Sequence, residues 1–520
     1  MKTNKFINIL LSGVLGAFMI SGCTDDFRDI NTNKRVLAEI DVATIGNVYA
    51  GTQFDGLMEG WNFQTWQNLF ADLYAQYYSN WQTKFQTDRN VINRDWLNGA
   101  WGGLYGGACK NLAVVLEKTD PATKPGLEKQ FALMQIWKVF VYQRITDYWG
   151  PVPYSQVNNG QNSVAYDSQQ DIYTDFIKLL DEATTTLAGY TGQNAYGSND
   201  QIYSGDINKW ITFANTLRLR VALRISKVDP ATAKTQAEKA VAAGVMLSNA
   251  DNAIFHTSGN INVGGWNALP VMLPWNEFRM SASMESVLKG YNDPRLSAYW
   301  RPAVNTGLYT GMRNGLSIAQ ISDPKRHYDN LSTMSARWST PGNESTTPVE
   351  VILASEAYFL RAEGALKGWN MGMTAKDAYN KGIEMSLSYW GADAAAIAAY
   401  QLGTTTPIAL ADFNTPPMTD IPVLWSSDPA KQLEQIATQK WLALFPDGCE
   451  AWADLRRNDL PKLYPIIVSD NPDVPVGQLM RRVGYVPGEM STNKAALDDG
   501  IQKLGGPDVA STRLWWDPAK

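Results

Sequence analysis

Large aromatic side chains are the residues whose type and spacing indicate chemistry in this sequence. The chain has 19 Trp, 23 Tyr and 16 Phe among its 520 residues. Many of them crowd one early segment, which contains Trp61, Trp66, Tyr74, Tyr77, Tyr78, Trp81, Trp96 and Trp101 together with Arg89 and Arg94. Sugar rings have apolar C–H faces that stack on indole and phenol rings, while polar side chains bond their hydroxyls. The segment therefore favours an oligosaccharide ligand, while an oligopeptide, which would use backbone contacts and less stacking, stays open as the alternative.

A second aromatic segment lies in the middle of the chain, in a stretch of loop-forming residues. It begins at Gly264-Gly265-Trp266-Asn267 and continues through Trp275, Asn276, Arg279, Tyr299 and Trp300. A tryptophan beside two glycines and an asparagine is less easily explained by core packing than one on a helical stripe. The candidate ligand-binding residues are Trp81, Trp96, Trp266, Asn267, Trp275 and Trp300. Core packing explains any one of these aromatics equally well, so the prediction rests on the group.

Signatures of catalysis are missing from the sequence. His256 and His327 stand alone, without metal-ligand spacing. The sequence contains no nucleophile elbow, phosphate loop or dinucleotide fingerprint. We expect no catalytic residue, no metal site and no enzymatic activity. Two alternatives stay open: a glycoside hydrolase, which needs two carboxylates about 5 to 9.5 Å apart, and a scaffold that binds no ligand itself.

The first 23 residues predict where the protein is located. Lys2 and Lys5 precede the apolar run Phe6–Ile20, which ends at Ser21-Gly22-Cys23. This run is too short to cross a hydrocarbon core about 30 Å thick, so residues 1–22 are predicted to be a lipoprotein signal peptide. Cys23 then becomes the first residue and carries the lipid, which is the only covalent group we expect, and 23–40 form a linker. Three acyl chains give stable attachment to a membrane.

Charge and cysteine content narrow the class of protein further. Removal of residues 1–22 takes away two lysines and no acid, which leaves 43 basic and 51 acidic side chains and a formal charge of −8. We expect no nucleic-acid partner, since such proteins have a basic patch or stripe. Cys109 and Cys449 remain after Cys23, and they either form a disulfide or stay buried as free thiols.

Helical periodicity dominates the rest of the sequence. Apolar positions spaced by three or four predict helices over 131–149, 207–225, 354–369 and 374–390. Small residues on the last two would let their axes approach closely, as in a tetratricopeptide hairpin. Strand signals are sparse, and 190–206, 250–350 and 395–430 are predicted to be irregular. The expected fold is mainly α: a tetratricopeptide-like helical repeat scaffold with long irregular loops and few short strands, forming a single domain over 41–520.

Charged residues inside two of these apolar helices predict internal ion pairs. They are Arg218, Arg220 and Arg224 on one helix, and Glu356, Arg361 and Glu363 on another. Unpaired burial of a charge costs several kcal/mol, so an ion-pair network is favoured over a ligand site. Trp441, Phe445 and Trp452 are predicted to lie in the core.

Several motifs in order along the chain resemble the SusD/RagB family of nutrient-binding outer-membrane lipoproteins of Bacteroidetes, in its SusD-like subgroup. The N-terminal motifs are Asp25-Asp26-Phe27 with Ile30-Asn31-Thr32-Asn33, Ile145-Thr146-Asp147-Tyr148-Trp149-Gly150-Pro151-Val152-Pro153-Tyr154 and Trp210-Ile211-Thr212-Phe213-Ala214-Asn215-Thr216-Leu217-Arg218-Leu219-Arg220. The C-terminal motifs are Glu356-Ala357-Tyr358-Phe359-Leu360-Arg361-Ala362-Glu363, Gln439-Lys440-Trp441-Leu442-Ala443-Leu444-Phe445-Pro446-Asp447-Gly448, Glu450-Ala451-Trp452, Leu455-Arg456-Arg457 and Arg513-Leu514-Trp515-Trp516-Asp517.

This resemblance implies a fold, a location and a partner. The fold is an α-rich domain in which four tetratricopeptide-like helix pairs support irregular loops. The location is the outer membrane, and Asp25-Asp26 after the lipidated cysteine resembles the family's export signal to the cell exterior. The implied partner is a SusC-like TonB-dependent outer-membrane barrel that imports captured oligosaccharide or oligopeptide. The resemblance implies no catalysis and assigns no individual ligand-binding residue.

Overall fold

Helices form most of the structure, a computed structural model that describes residues 44–161, 163–257 and 265–519. The chain divides into residues 1–45, of which only the last two are described, and a compact unit over 46–520. The lipid attachment site predicted at Cys23 lies outside the described residues. In the N-terminal half the α-helices are α1 (Ile45–Leu57), α2 (Asp72–Tyr74), α3 (Arg94–Gly103), α4 (Lys110–Thr119), α5 (Glu128–Trp149), α6 (Gln169–Ala188), α7 (Ile207–Arg224) and α8 (Pro230–Ala243).

The middle of the chain has shorter elements, and long helices return after residue 353. The further α-helices are α9 (Ala268–Met272), α10 (Ala282–Gly290), α11 (Arg295–Tyr299), α12 (Ile318–Ile321), α13 (Ala336–Ser339), α14 (Ala354–Leu366), α15 (Ala375–Tyr389), α16 (Ala394–Gln401), α17 (Pro429–Leu444), α18 (Gly448–Asn458), α19 (Pro487–Thr492) and α20 (Lys494–Leu504). Two π-helical turns, Gln64–Ala71 and Leu104–Cys109, lie among the early helices.

The described residues contain three short antiparallel strand pairs, two of which join distant parts of the chain. The strands are β1 (Tyr78–Asn80), β2 (Val152–Pro153), β3 (Tyr166–Asp167), β4 (Ala253–Phe255), β5 (Phe278–Met280) and β6 (Val349–Ile352). They pair as β1 with β5, β2 with β3 and β4 with β6. The β1–β5 pair matters most for the site, because it brings the early aromatic segment beside the mid-chain one.

The sequence predictions of the long helices are confirmed. The predicted helices over 131–149, 207–225, 354–369 and 374–390 correspond to α5, α7, α14 and α15. In the α14–α15 hairpin, a Cβ added at Gly382 would lie 2.8 Å from the Phe359 ring, so the glycine permits the close approach expected of small residues. The prediction of an irregular 395–430 is wrong at its start, where the alanine-rich α16 forms. The 250–350 stretch contains short helices and strands that its sequence pattern does not predict.

A buried network of charges holds the long helices together. The cations are Arg220, Arg224, Lys440 and Arg457, and the anions are Asp147, Glu356, Glu363, Glu450 and Asp454; all nine are at most 6% exposed. Arg220 forms a bidentate pair with Glu356, at 2.7 and 2.6 Å, which joins α7 to α14. Arg224 pairs with Glu450 of α18 at 2.7 and 2.6 Å and lies 3.4 Å from Asp147 of α5. The expectation of internal ion pairs is confirmed for these residues.

The network continues between α14, α17 and α18. Arg457 forms two bonds to Glu363, at 2.6 and 2.5 Å, and Lys440 lies 3.1 Å from Asp454. Burial alone would raise the pKa of Glu450, but Arg224 and Arg220 outweigh it and hold that pKa below its ordinary value. The Glu450 carboxylate is therefore stabilised in its charged form.

Three further predictions from the sequence concern Arg361, a group of aromatic residues and the two cysteines. Arg361 donates to the Met371 carbonyl at 3.0 Å and is not an ion-pair partner of the network. Trp441, Phe445 and Trp452 are buried, as predicted. Cys109 and Cys449 are buried free thiols, which decides the open question of their pairing.

Loss of one partner of the network should be far more damaging than loss of an exposed ion pair. Glu356→Ala leaves the Arg220 guanidinium buried without its bidentate partner and should lower the free energy of unfolding by about 3 to 5 kcal/mol. The control is Asp498→Ala, which removes the exposed Lys494–Asp498 pair at 2.8 Å and should cost about 0.5 kcal/mol or less. Urea unfolding followed by circular dichroism measures both. Equal costs would show that the buried pair does not stabilise the scaffold.

Candidate functional site

Two exposed tryptophans lie side by side on the surface. Trp61 is 62% exposed and Trp275 is 37% exposed. Their ring centroids are 6.4 Å apart and their planes differ by only 9°. Beneath them lies Trp266, which is 2% exposed and meets Trp61 edge-on at 5.3 Å. We call these three residues the tryptophan platform; its exposed indole faces can stack on flat ligand rings.

The backbone around the platform is fixed by a turn and a buried hydrogen bond. Gly60, directly before Trp61, has φ +96°, a conformation that glycine adopts without strain. The Glu59 carboxylate accepts a hydrogen bond from the Ala268 N–H at 2.7 Å. Glu59 therefore connects the segment that carries Trp61 to the segment that carries Trp266.

Burial strongly affects the protonation of Glu59. Burial raises its pKa from 4.5 to about 8; the Ala268 N–H and Arg144 lower it, while Glu350 and Asp447 raise it. At pH 7 the folded protein therefore holds Glu59 mostly in its neutral form. This neutral carboxyl can still accept the Ala268 hydrogen bond, so the connection under the platform does not require a charge.

A second aromatic group flanks the platform. The Trp81 ring meets Tyr328 edge-on at 5.1 Å and His327 at 6.1 Å, and the Trp81 Nε1–H donates to the Arg326 carbonyl at 2.5 Å. The guanidinium of Arg279 lies 5.3 Å from the centre of the Tyr328 ring. Trp81 and Tyr328 are half-buried and His327 is exposed. We call Trp81, His327 and Tyr328 the tyrosine group.

Strands β1 and β5 connect the two aromatic groups. Trp81 directly follows β1. Its backbone N–H donates to the carbonyl of Glu277 at 3.0 Å, and Glu277 lies two residues after Trp275. The Gln64 side chain donates to the Glu277 carboxylate, and the Lys84 ammonium lies 3.7 Å from it. Hydrogen-bonding side chains therefore lie beside the stacking faces, as binding of a sugar requires. We call the tryptophan platform, the tyrosine group and these polar residues the aromatic surface.

The six predicted site residues have different places in the structure. Trp275 and Trp81 belong to the aromatic surface. Trp266 supports it from below. Trp96 is half-buried and packs edge-on against Phe85 at 5.4 Å.

Three of the six are corrected by the structure. Trp300 is 1% exposed, with its ring 5.5 Å from Phe445, so a ligand at the surface does not reach it. Asn267 is 3% exposed and caps α9: its side chain accepts from the Leu269 N–H at 3.0 Å and donates to the Pro348 carbonyl at 3.1 Å. Trp266, also buried, is a supporting residue and not a ligand contact.

The sequence analysis placed Trp61 in the early aromatic segment but not among the six candidates, and it did not name Tyr328; both are prominent in the site. Trp61 follows a glycine and precedes an asparagine, the same pattern that drew attention to Trp266. This signal could have identified Trp61. The sequence around Tyr328 carries no comparable signal, because its neighbours Trp81 and Arg279 are distant along the chain.

The described part of the chain has neither a metal-binding group of side chains nor a membrane-spanning helix. Within 44–161, 163–257 and 265–519, no group of three or more His, Cys, Asp or Glu side chains could hold a metal ion. No helix in these same ranges has the length and apolar character to cross a membrane.

Comparisons with known proteins agree on one family. The SusD-like family model, described as SusD and RagB outer membrane lipoprotein, matches residues 29–517. A chitin-binding SusD homologue from Flavobacterium johnsoniae is 34% identical, with a TM-score of 0.83 over 92% of this chain and 99% of the other. A SusD-like protein from Bacteroides thetaiotaomicron is 32% identical, with a TM-score of 0.81 over 91% and 98%.

Further structures extend this agreement. A SusD homologue from Bacteroides vulgatus is 29% identical, with a TM-score of 0.82 over 91% of this chain and 98% of the other. Another similar structure, 29% identical with a TM-score of 0.76 over 91% and 100%, is titled a chitin-binding protein. A search of curated proteins found no match.

Variants of Glu59 should separate its hydrogen bond from its protonation. Glu59→Ala removes the acceptor of a buried N–H and should lower the free energy of unfolding by about 1 to 3 kcal/mol. Glu59→Gln keeps an oxygen acceptor and should fold with stability close to that of the wild type at pH 7. Thermal unfolding of the two variants measures the difference.

The same residue predicts a pH dependence of stability. The pKa of Glu59 is about 8 in the folded protein, against an ordinary value of 4.5. Its neutral form therefore stabilises the fold fully below pH 4.5, and this contribution is lost as the pH rises through about 8. Stability should fall over this range, and less steeply in Glu59→Gln, which does not titrate. Identical pH profiles would contradict the assignment of a buried neutral carboxyl.

Proposed function

This chain belongs to the SusD-like family of outer-membrane lipoproteins, a family of nutrient-binding proteins and not of enzymes, and from this premise we propose that it captures oligosaccharides at the cell surface. The proposal includes delivery of the captured glycan to a SusC-like TonB-dependent outer-membrane barrel. It also includes attachment to the outer membrane through lipid on Cys23, with the protein facing the cell exterior. The chain itself performs no catalysis in this proposal.

The tryptophan platform is the observation that carries the choice of ligand. Large aromatic side chains are mostly buried in folded proteins, yet Trp61 and Trp275 are exposed and nearly parallel. Burying an exposed indole against the C–H face of a sugar removes apolar surface of both partners from water. Two exposed and nearly parallel indoles give a glycan apolar ring faces on which to stack.

Polar side chains next to the platform support a ligand rich in hydroxyls. The buried Glu277 carboxylate accepts from Gln64 and lies near Lys84. The exposed Lys84 and the half-buried Gln64 and Asn276 offer hydrogen bonds to sugar hydroxyls. Arg279 donates to the Asn276 side chain at 2.7 Å. An extended peptide would gain more from an unpaired strand edge than from two stacked indoles, so an oligosaccharide is favoured over an oligopeptide.

Two related structures guide the choice of the first ligand to test. Both are titled chitin-binding, and one of them is 34% identical to this chain. We therefore propose β-linked N-acetylglucosamine oligomers as the first candidates, followed by other glycans and by oligopeptides.

Removal of the exposed indoles should strongly weaken binding of the ligand. Trp61→Ala with Trp275→Ala should weaken binding of chitohexaose by tenfold or more, because both stacking faces are lost. Isothermal titration calorimetry of the purified mature chain measures the affinity, and product analysis of the same mixtures tests for cleavage.

The control for this experiment is a half-buried tryptophan elsewhere. Trp369→Ala alters the turn between α14 and α15 and should leave the affinity unchanged. Equal loss in both variants would mean that the effect is global, and cleavage of the glycan would contradict a capture protein. Binding only of peptides would replace the oligosaccharide with an oligopeptide ligand.

Loss of the lipidated thiol should release the protein from the membrane. In Cys23→Ala no acyl chain can be attached, so the protein should move from the detergent-rich to the aqueous phase in a phase-partition assay. Metabolic labelling with a fatty-acid analogue measures lipidation directly. Retention of the variant in the membrane fraction would contradict attachment through Cys23.

A further inference from the structure

One buried arginine bonds to both aromatic groups of the surface. Arg279 is only 3% exposed and lies in β5, where it is paired with Ser79 of β1. Its guanidinium donates to the Tyr328 carbonyl at 3.1 Å through Nε, and to the side-chain oxygen of Asn276 at 2.7 Å through Nη2. The third nitrogen, Nη1, donates to the Phe278 carbonyl at 2.8 Å. One planar group therefore connects a segment of the tryptophan platform with a segment of the tyrosine group.

On the side of the platform, Asn276 links Arg279 to the turn that carries Trp275. Asn276 directly follows Trp275 and has φ +54°, a left-handed conformation that asparagine adopts more readily than most residues. Its side-chain oxygen accepts from Arg279, and its side-chain nitrogen donates to the Pro274 carbonyl at 3.2 Å. These bonds hold the residues on both sides of Trp275, whose indole is one of the two exposed stacking faces.

On the side of the tyrosine group, Arg279 contacts both the backbone and the ring of Tyr328. Besides its bond to the carbonyl, the guanidinium lies 5.3 Å from the centre of the ring, a distance at which a cation and an aromatic face attract each other. The same ring meets Trp81 edge-on at 5.1 Å. Arg279 and Tyr328 are 49 positions apart in the sequence, so this contact ties together segments that have no local connection.

The charge of Arg279 is poorly explained by stability of the fold. Its three acceptors are two carbonyls and one amide oxygen, and in the described parts of the chain no carboxylate pairs with it. Burial lowers its pKa from 12.5 to about 10, although Asp329 and Tyr328 act in the opposite direction, so the guanidinium is charged at pH 7. A buried charge without an ion-pair partner is costly, and stability alone would favour an apolar side chain at this position.

We propose that Arg279 is a positioning residue of the aromatic surface, which holds Trp275 and Tyr328 in one arrangement so that a single glycan chain contacts the tryptophan platform and the tyrosine group together. Because Arg279 is buried, it supports the ligand contacts and forms none itself. This inference rests on the proposed function and extends it to the length of the glycan. Two contacts on one chain reinforce each other only when their geometry allows both to form at once.

Arg279→Met tests this role, because it keeps an unbranched apolar stem and removes the charge and all three hydrogen bonds. Calorimetry with the mature chain should show chitohexaose, which can contact both groups, binding about tenfold more weakly. A single ring, methyl N-acetylglucosaminide, contacts one group at a time, and its affinity by NMR titration should change less than about twofold. Arg279→Lys keeps the charge but not the planar fork, and it should also lose affinity for the hexamer.

Indole signals give a measurement that needs no ligand. In NMR spectra of the mature chain with isotope-labelled tryptophan, Arg279→Met should move the indole N–H signals of Trp81 and Trp275. The signals of buried tryptophans elsewhere, such as Trp137 and Trp441, should stay in place. An arginine that only stabilises the fold would lower the unfolding temperature without moving the signals of Trp81 and Trp275 selectively.

Arg313→Met is the matched control. Arg313 is also buried, at 7% exposed, and its guanidinium lies 4.7 Å from the centre of the Tyr464 ring. It donates to the Thr415 hydroxyl and to the Pro465 carbonyl, both at 2.7 Å. None of these partners belongs to the aromatic surface. The variant should therefore leave the affinity for chitohexaose and the two indole signals unchanged.

Each of four results would overturn the proposal. They are an equal loss of affinity for both ligands, unmoved signals of Trp81 and Trp275, wild-type binding by Arg279→Lys, and the same effects in Arg313→Met. If the wild type binds no glycan, the proposed function fails, and the indole signals alone decide whether Arg279 positions the surface.

A second variant covers the case in which Arg279→Met does not fold. Asn276→Gly removes the acceptor that links Arg279 to the platform, and glycine adopts the positive φ of this position without strain. It should move the indole signal of Trp275 and leave that of Trp81 in place. An unmoved Trp275 signal would contradict the role assigned to the bond between Arg279 and Asn276.

Discussion

The buried charge network is the constraint on which the rest of the structure depends. Its four cations and five anions come from α5, α7, α14, α17 and α18, and none of them is more than 6% exposed. Burying one such charge costs several kcal/mol unless it is paired with good geometry. The bidentate bonds of Arg220 to Glu356 and of Arg457 to Glu363 therefore allow little sliding of one helix along another. Apolar contacts alone would tolerate more variation in helix position.

A rigid helical scaffold lets irregular segments carry the binding surface. The tryptophan platform combines a turn after α1 with loops on either side of α9, and Glu59 connects these segments through the Ala268 N–H. The β1–β5 pair then places Trp81 beside Glu277. Aromatic rings in loops gain a defined orientation only when such bonds fix the backbone beneath them. The charge network positions the helices, and the helices support the loops that carry the tryptophan platform. The geometry of the platform therefore depends on the network.

Much of the scaffold could be predicted from the sequence, because helical periodicity is a local pattern and a buried charge requires a partner of opposite charge. Periodicity identified α5, α7, α14 and α15, and charges inside apolar helices indicated the ion pairs. The alanine-rich α16 was missed because it lacks the alternation of apolar and polar residues that identifies an amphipathic helix. The stretch 250–350 was predicted only as irregular, since its short elements depend on contacts with distant residues.

The site was harder to predict, since the exposure of a tryptophan is decided by the fold. The Gly-Trp-Asn pattern occurs at both Trp61 and Trp266, yet one is exposed and the other lies beneath it. Trp300 is buried against Phe445, 145 positions along the chain, a contact that no local pattern reveals.

The most direct test of the capture surface is a crystal structure of the mature chain with a bound chito-oligosaccharide. The account predicts sugar rings stacked on Trp61 and Trp275, with hydroxyls bonded to Gln64, Lys84 or Asn276. Sugar bound elsewhere on the molecule, with both indoles still exposed to solvent, would contradict the central claim.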